Sequence, residues 1–203
     1  KAAANKNSPF DKTSSVILFV LYAMPTFWVA TILLMSFANV EALHIFPASG
    51  IQPVTGIPDD ANWLTTIKLR LPYLILPTIA FTYSQLAFLS RITRVSTLEI
   101  IAQDYIRTAR AKGLSEHTVI YKHAFRNALL PIITVFSNIF PMAISGSVIL
   151  ETIFTITGMG EQVFHAITTK DYPVIIDVFT LTGILTLLGF LVADILYAVA
   201  DPR

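Results

Sequence analysis

From Ser14 to Ala38 the chain carries no charged side chain at all. A helix on the surface of a soluble domain keeps a polar stripe, and this segment has none. Three further apolar blocks follow, about Leu71 to Ser90, Leu129 to Leu150 and Val174 to Ala200. Each is close to the roughly 20 residues that a helix needs to cross a hydrocarbon core of about 30 Å. Charged residues make up only 13% of the sequence, against roughly 25% in an ordinary soluble domain. The expected fold is therefore all-α and polytopic: four transmembrane helices (about 14–38, 71–90, 129–150 and 174–200) with a helical loop, 91–128, between the second and third.

Basic residues orient the spans. If the four spans alternate, one side receives Lys1, Lys6, Lys12, Arg91, Arg94, Arg107, Arg110, Lys112, Lys122, Arg126 and Arg203, while the other receives only Lys68, Arg70 and Lys170. The positive-inside rule then places both termini and the 91–128 loop in the cytoplasm. A net charge of +1 conceals this asymmetry and says little about partners. There is no cysteine, so disulfides and thiolate metal sites are excluded. The opening Lys1-Ala-Ala-Ala-Asn-Lys-Asn-Ser-Pro9 is neither an initiator methionine nor a signal peptide, which needs an apolar core and a cleavage site of small residues. The expectation is a fragment with further spans upstream.

Two segments fall on the outer side. Asn39 to Arg70 holds His44-Ile-Phe-Pro-Ala-Ser-Gly50 and Gly56-Ile-Pro-Asp-Asp60, whose prolines and glycines set turns; a short helix near Trp63 is expected to close it. Glu151 to Pro173 carries Phe154, Gly158-Met-Gly160, Phe164 and Asp171-Tyr-Pro173. A loop so rich in apolar residues must pack on something, either its own helices or an external partner.

The cytoplasmic loop has its own grammar. Ser96 with Glu99 three positions later is a capping-box pattern for a helix start. Leu98, Ile101, Ala102, Tyr105 and Ala109 then recur at helical spacing, with Arg107, Arg110 and Lys112 largely off that face. Gly113 stands where a helix ends in a left-handed residue, and Ser115 can cap a second helix running from about Glu116 towards Pro131. Two helices meeting at a glycine elbow fit a groove of another protein. A basic amphipathic helix lying on the membrane surface is the other reading.

At these residues the chain resembles the integral-membrane subunits of binding-protein-dependent ABC importers, specifically the dipeptide/oligopeptide/nickel permease group. Arg107-Thr-Ala-Arg-Ala-Lys-Gly113 looks like the first half of that family's cytoplasmic signature and His123-Ala-Phe-Arg-Asn-Ala-Leu-Leu-Pro131 like the second. Arg107 occupies the first acidic position of the general signature and Arg126 replaces a proline, as in the peptide-type branch. Ala23-Met-Pro-Thr-Phe-Trp28, Phe46-Pro-Ala-Ser-Gly50, Glu151-Thr-Ile-Phe154, Gly158-Met-Gly160, Asp171-Tyr-Pro173 and Asp201-Pro-Arg203 look like further landmarks in the expected order, with Thr157 where relatives commonly have proline.

The resemblance implies a translocation-path subunit for peptides or similar small solutes, without an ATP site of its own. Its coupling loop would be Arg107, Thr108, Ala109, Arg110, Ala111, Lys112, Gly113, Leu114, Ser115 and Glu116. The implied partners are cytoplasmic ATP-binding subunits, a second homologous permease subunit, an extracytoplasmic solute-binding protein and the lipid bilayer, with no nucleic acid; the implied location is the cell inner membrane. The chain agrees in lacking a Gly-x-x-x-x-Gly-Lys-[Ser/Thr] phosphate cradle.

Other chemistry has little footing. His117 and His123 lie six apart without metal-ligand spacing, His44 and His165 fall on the outer side, and no nucleophile-base pattern stands out; no catalytic residue, metal or cofactor is expected. Asn138, Ser145 and Ser147, beside Pro141 and Gly146, are candidates to line a polar path, although small polar residues also pack membrane helices together. Asp177 and Asp194 in the last span would be the coupling acids of the alternative, a proton-coupled secondary transporter or channel. Each would cost about 2.5–3.5 kcal/mol at the bilayer centre.

Overall fold

The structure, a computed structural model, describes residues 3–139, 141–142 and 146–200. Among these every regular element is helical. The first apolar block forms two helices, α1 (Pro9–Ala23) and α2 (Thr26–Phe37). Pro25 separates them because it has no N–H to continue the ladder and its ring excludes the preceding turn. The Tyr83 hydroxyl donates to the Met24 carbonyl at 2.6 Å, supplying a partner at the break.

The second block lies inside a much longer helix, α3 (Trp63–Ile101, 39 residues). At 1.5 Å per residue that is roughly 58 Å, about twice a hydrocarbon core, so a large part of α3 must stand outside the bilayer. The expected short helix near Trp63 is simply its first turn. The expected helix start at Ser96 is also absent: Ser96 and Thr97 are buried within α3, and the Thr97 hydroxyl donates back to the Thr93 carbonyl. A capping box acts only where the preceding backbone is non-helical, and here the helix never stops.

After α3 come α4 (Asp104–Ala111), α5 (Glu116–Thr118), a π-helical turn (Val119–Ala124), α6 (Phe125–Ala128) and α7 (Leu130–Ser137). The third apolar block is thus not one continuous helix among the described residues: α7 ends at Ser137, Gly146 has φ +60°, and α8 (Val148–Phe154) begins afresh behind Ser147. The chain continues as α9 (Met159–Thr169), and the last block is α10 (Tyr172–Ala200). By length and composition α3 and α10 can each cross a membrane, and the broken pair α1–α2 makes a third candidate if counted as one span.

Two compact units divide the chain, one formed by 1–22, 86–143 and 181–203, the other by 23–85 and 144–180. In the second, Ala30, Ala38, Leu76, Ala80, Leu150 and Phe154 form the core. Its alanines let backbones approach closely, the usual device where lipid, being as apolar as leucine, gives no hydrophobic drive between helices. The first unit packs Ile106, Ala109, Val119 and Ala124 together, with Ile100 and Ile101 against them.

Candidate functional site

The loop of the first unit is built from the end of α3 outward. The last turn of α3 tightens, with Ala102 N–H donating to Glu99 and Gln103 N–H to Ile100, and Gln103 then turns extended (φ −72°, ψ 151°) to start α4. This break resets the helical phase. The face that α4 buries is Ile106 and Ala109; of the projected stripe Leu98, Ile101, Ala102, Tyr105 and Ala109, Ala109 is buried and Ile101 packs against the same cluster, whereas Ala102 and Tyr105 are exposed.

The elbow itself is where the sequence places it. Gly113 has φ +78°, a left-handed conformation in which a side chain is strained, and its N–H donates to the Arg110 carbonyl. Ser115 is extended and its hydroxyl accepts the Thr118 N–H at 3.3 Å, capping α5. Across the turn, Arg110 grips Glu116 with two contacts, Nη2 to Oε1 at 2.7 Å and Nε to Oε2 at 3.1 Å. The guanidinium holds the Glu116 carboxyl below its ordinary value. Arg107 reaches Asp104 only weakly, at 3.4 Å on an exposed face.

Of the residues from Arg107 to Glu116, all but Ala109 are exposed, and Ala109 turns inward onto Val119 and Ala124. The result is a short helix, a glycine corner and a capped second helix, held from behind by four buried apolar side chains and presenting Thr108, Ala111, Lys112 and Leu114 outward.

Sequence reasoning misses how this elbow is tied down. The Asn127 amide donates to the Tyr105 hydroxyl at 2.7 Å. Arg126 donates from Nε to the Ala200 carbonyl at 3.0 Å and from Nη2 to the Val199 carbonyl at 3.1 Å. Those carbonyls belong to the last turn of α10, where backbone acceptors lack helical partners and a cation is favoured. Nothing local in the sequence announces a bond across 74 positions.

The path-lining candidates separate. Asn138 is exposed at the end of α7, its amide donating to the Thr134 carbonyl. Ser147 accepts the Leu150 N–H and so caps α8. Ser145 lies outside the described residues. Asp177 and Asp194 are exposed on α10.

Comparison with known proteins gives the family. Residues 2–203 match the family described as binding-protein-dependent transport system inner membrane component. The chain is 40% identical over 198 residues to oligopeptide transport system permease protein AppB of Bacillus subtilis, covering 96% of this chain and 60% of that protein. It is 38% identical over 217 residues to di/tripeptide transport system permease protein DppB of Pseudomonas aeruginosa, covering all of this chain and 63% of the relative. With dipeptide transport system permease protein DppB of Bacillus subtilis it shares 36% identity over 202 residues, all of this chain and 59% of the relative. The chain thus spans about three fifths of the length of the curated relatives it matches. An all-helical chain with membrane-length helices and a match over nearly its whole length belongs to the family of binding-protein-dependent transport system inner membrane components.

Proposed function

We propose that the chain is part of a transmembrane permease subunit that lines the path of an ATP-driven importer for peptides or similar small solutes. The observation that carries this reading is the elbow: a capped, glycine-cornered pair of helices, exposed from Arg107 to Glu116 apart from Ala109 and braced by Ile106, Val119 and Ala124. A rigid knob of this kind transmits force, which a loosely lying surface helix does not. Its docking partner is a cytoplasmic ATP-binding subunit, whose closure pushes the elbow. Arg126 links the stem of the same loop to the end of α10, so displacement of the elbow is passed to a membrane-length helix.

A second permease subunit completes the pore, and an extracytoplasmic binding protein delivers the solute, as the family description binding-protein-dependent supports. Peptides are the proposed cargo because the relatives named above are permeases of peptide transport systems. The location is the inner membrane, with both ends of this chain and the elbow in the cytoplasm, supported by the distribution of Lys and Arg.

The test is uptake of labelled di- and oligopeptides by cells with and without the ATP-binding subunits. Uptake should vanish without them and should survive a protonophore while ATP is maintained, and Asp194→Asn should leave it independent of the proton gradient. Uptake that persists without ATPases and collapses with the protonophore would establish the secondary-transporter alternative instead.

A further inference from the structure

The outer segment contains an acid that no membrane chemistry demands. Glu151, in the middle of α8, is 4% exposed. Its carboxylate accepts three backbone N–H groups: Ser147 at 3.0 Å and Gly160 at 3.2 Å on Oε1, and Glu161 at 2.7 Å on Oε2. The first donor lies just before α8 and the other two are in the first turn of α9. One side chain therefore fastens both helices of the hairpin, and charge-assisted bonds of this type are about twice as strong as neutral ones.

Three glycines make room for it. A β-carbon on Gly146 would overlap Glu151 Oε1. One on Gly158 would stand 2.5 Å from Glu151 Cδ, and one on Gly160 2.8 Å from the Val148 backbone nitrogen and 3.0 Å from Glu151 Oε1. The two Gly-x-Gly glycines are thus explained by the carboxylate as well as by turn geometry. On the same unit the Gly50 N–H donates to the Phe154 carbonyl, attaching the Pro47–Gly50 turn to the end of α8.

We infer that Glu151 is a positioning residue: its caged carboxylate fixes α9 on α8 and thereby sets the orientation of an outer surface, with Phe164 and Ile167 exposed, on which the solute-binding protein docks. Among the described residues nothing covers this surface, Phe164 being 56% and Ile167 53% exposed. The docking half of this inference rests on the importer reading; the positioning half does not.

None of these 203 residues is a cysteine, so with any cysteines elsewhere in the complex replaced, spin labels at Thr152→Cys and Thr168→Cys report the α8–α9 geometry. In the full-length permease assembled with its partner subunits, the label distance distribution should be narrow. Glu151→Gln, which turns an amide NH₂ towards backbone donors, should broaden it, and so should Gly160→Ala, which keeps the carboxylate but crowds the cage. Gly183→Ala, whose β-carbon meets nothing within 4 Å, should leave it narrow. Distributions for Glu151→Gln and Gly160→Ala as narrow as the parent's would overturn the positioning role.

In the same reconstituted complex, Glu151→Gln should leave ATP hydrolysis without binding protein within about twofold. It should raise the concentration of loaded binding protein needed for half-maximal stimulation about tenfold, a loss of roughly 1.4 kcal/mol. Broadened distances with unchanged half-saturation would overturn the docking surface. If instead the unmodified complex shows no stimulation by any binding protein, the importer reading itself fails.

Discussion

Arg94 meets Asp11 side-on, with Nε 2.6 Å from Oδ1 and Nη2 2.8 Å from Oδ2, joining the far end of α3 to the first turn of α1. Asp11 Oδ2 also accepts the Asn7 N–H at 3.0 Å. The acid side chain is 2% exposed and the arginine 29%. A fork-to-fork pair is the strongest geometry for such a bridge, and it anchors the start of α1.

Removing one partner of a shielded pair costs more than removing both, because the survivor keeps its desolvation without its counter-charge. Arg94→Met should therefore lower the midpoint of thermal unfolding in detergent by several degrees, and Arg94→Met with Asp11→Leu should recover part of that loss. Scanning calorimetry of the two variants decides it; a double variant less stable than the single one contradicts the pair's role.

The elbow's own ion pair is pH-dependent in a known direction. Arg110 depresses the Glu116 pKa, so the bridge stabilises the elbow above the ordinary carboxyl range and its contribution is lost as pH falls through the lowered value. Both side chains are well exposed, 40% and 58%, which limits the effect to under about 1 kcal/mol. Amide hydrogen exchange at Gly113 and Leu114 should be a few-fold faster in Glu116→Gln than in the parent at pH 7, and the difference should shrink as the pH falls through the depressed Glu116 range. A difference that does not change with pH would show that the bridge does not hold the elbow.

Arg126 makes two bonds to the end of α10, each worth about 0.5–1.5 kcal/mol net. Arg126→Ala should loosen that end, so that amide hydrogen exchange in the last turn of α10, from Tyr197 to Ala200, speeds up about fivefold or more. Unchanged exchange would show that the contact does not hold the helix.

These anchors also mark the limit of what the chain reveals before folding. Gly113 and Ser115 were readable because each acts on its own neighbours: a positive φ favours glycine, and a hydroxyl reaches an amide three residues on. The apolar blocks were readable for the same local reason, and α3 and α10 contain two of them. Ser96 misled because a cap signal says nothing about whether the helix before it ends, and α3 runs on to Ile101. The split at Pro25 and the interruption before Ser147 follow from proline, glycine and cap chemistry already present in the sequence, but a hydropathy block smooths over them. The Asp11–Arg94, Arg126–Ala200 and Glu151–Gly160 contacts depend on which elements come together, and no residue spacing encodes that.

The proposed orientation has a direct check. Ser49, Ser115 and Thr169 are all exposed and these 203 residues hold no thiol, so cysteines placed singly at these positions, in a permease with any other cysteine replaced, can be labelled in sealed cells. Ser115→Cys should be protected from an impermeant maleimide until the membrane is opened, whereas Ser49→Cys and Thr169→Cys should react at once. Labelling of Ser115→Cys from outside would invert the topology.

In the proposed importer the Gly113 elbow couples ATP hydrolysis to transport. Gly113 has φ +78° and open space around the position of a β-carbon, so Gly113→Val introduces about 1–2 kcal/mol of backbone strain without a clash. The membrane helices, which fold on their own contacts, should insert normally. In the reconstituted complex, Gly113→Val should therefore assemble at parental levels yet lose most of the stimulation of ATP hydrolysis by solute-loaded binding protein. Full stimulation in an assembled Gly113→Val complex would contradict the account.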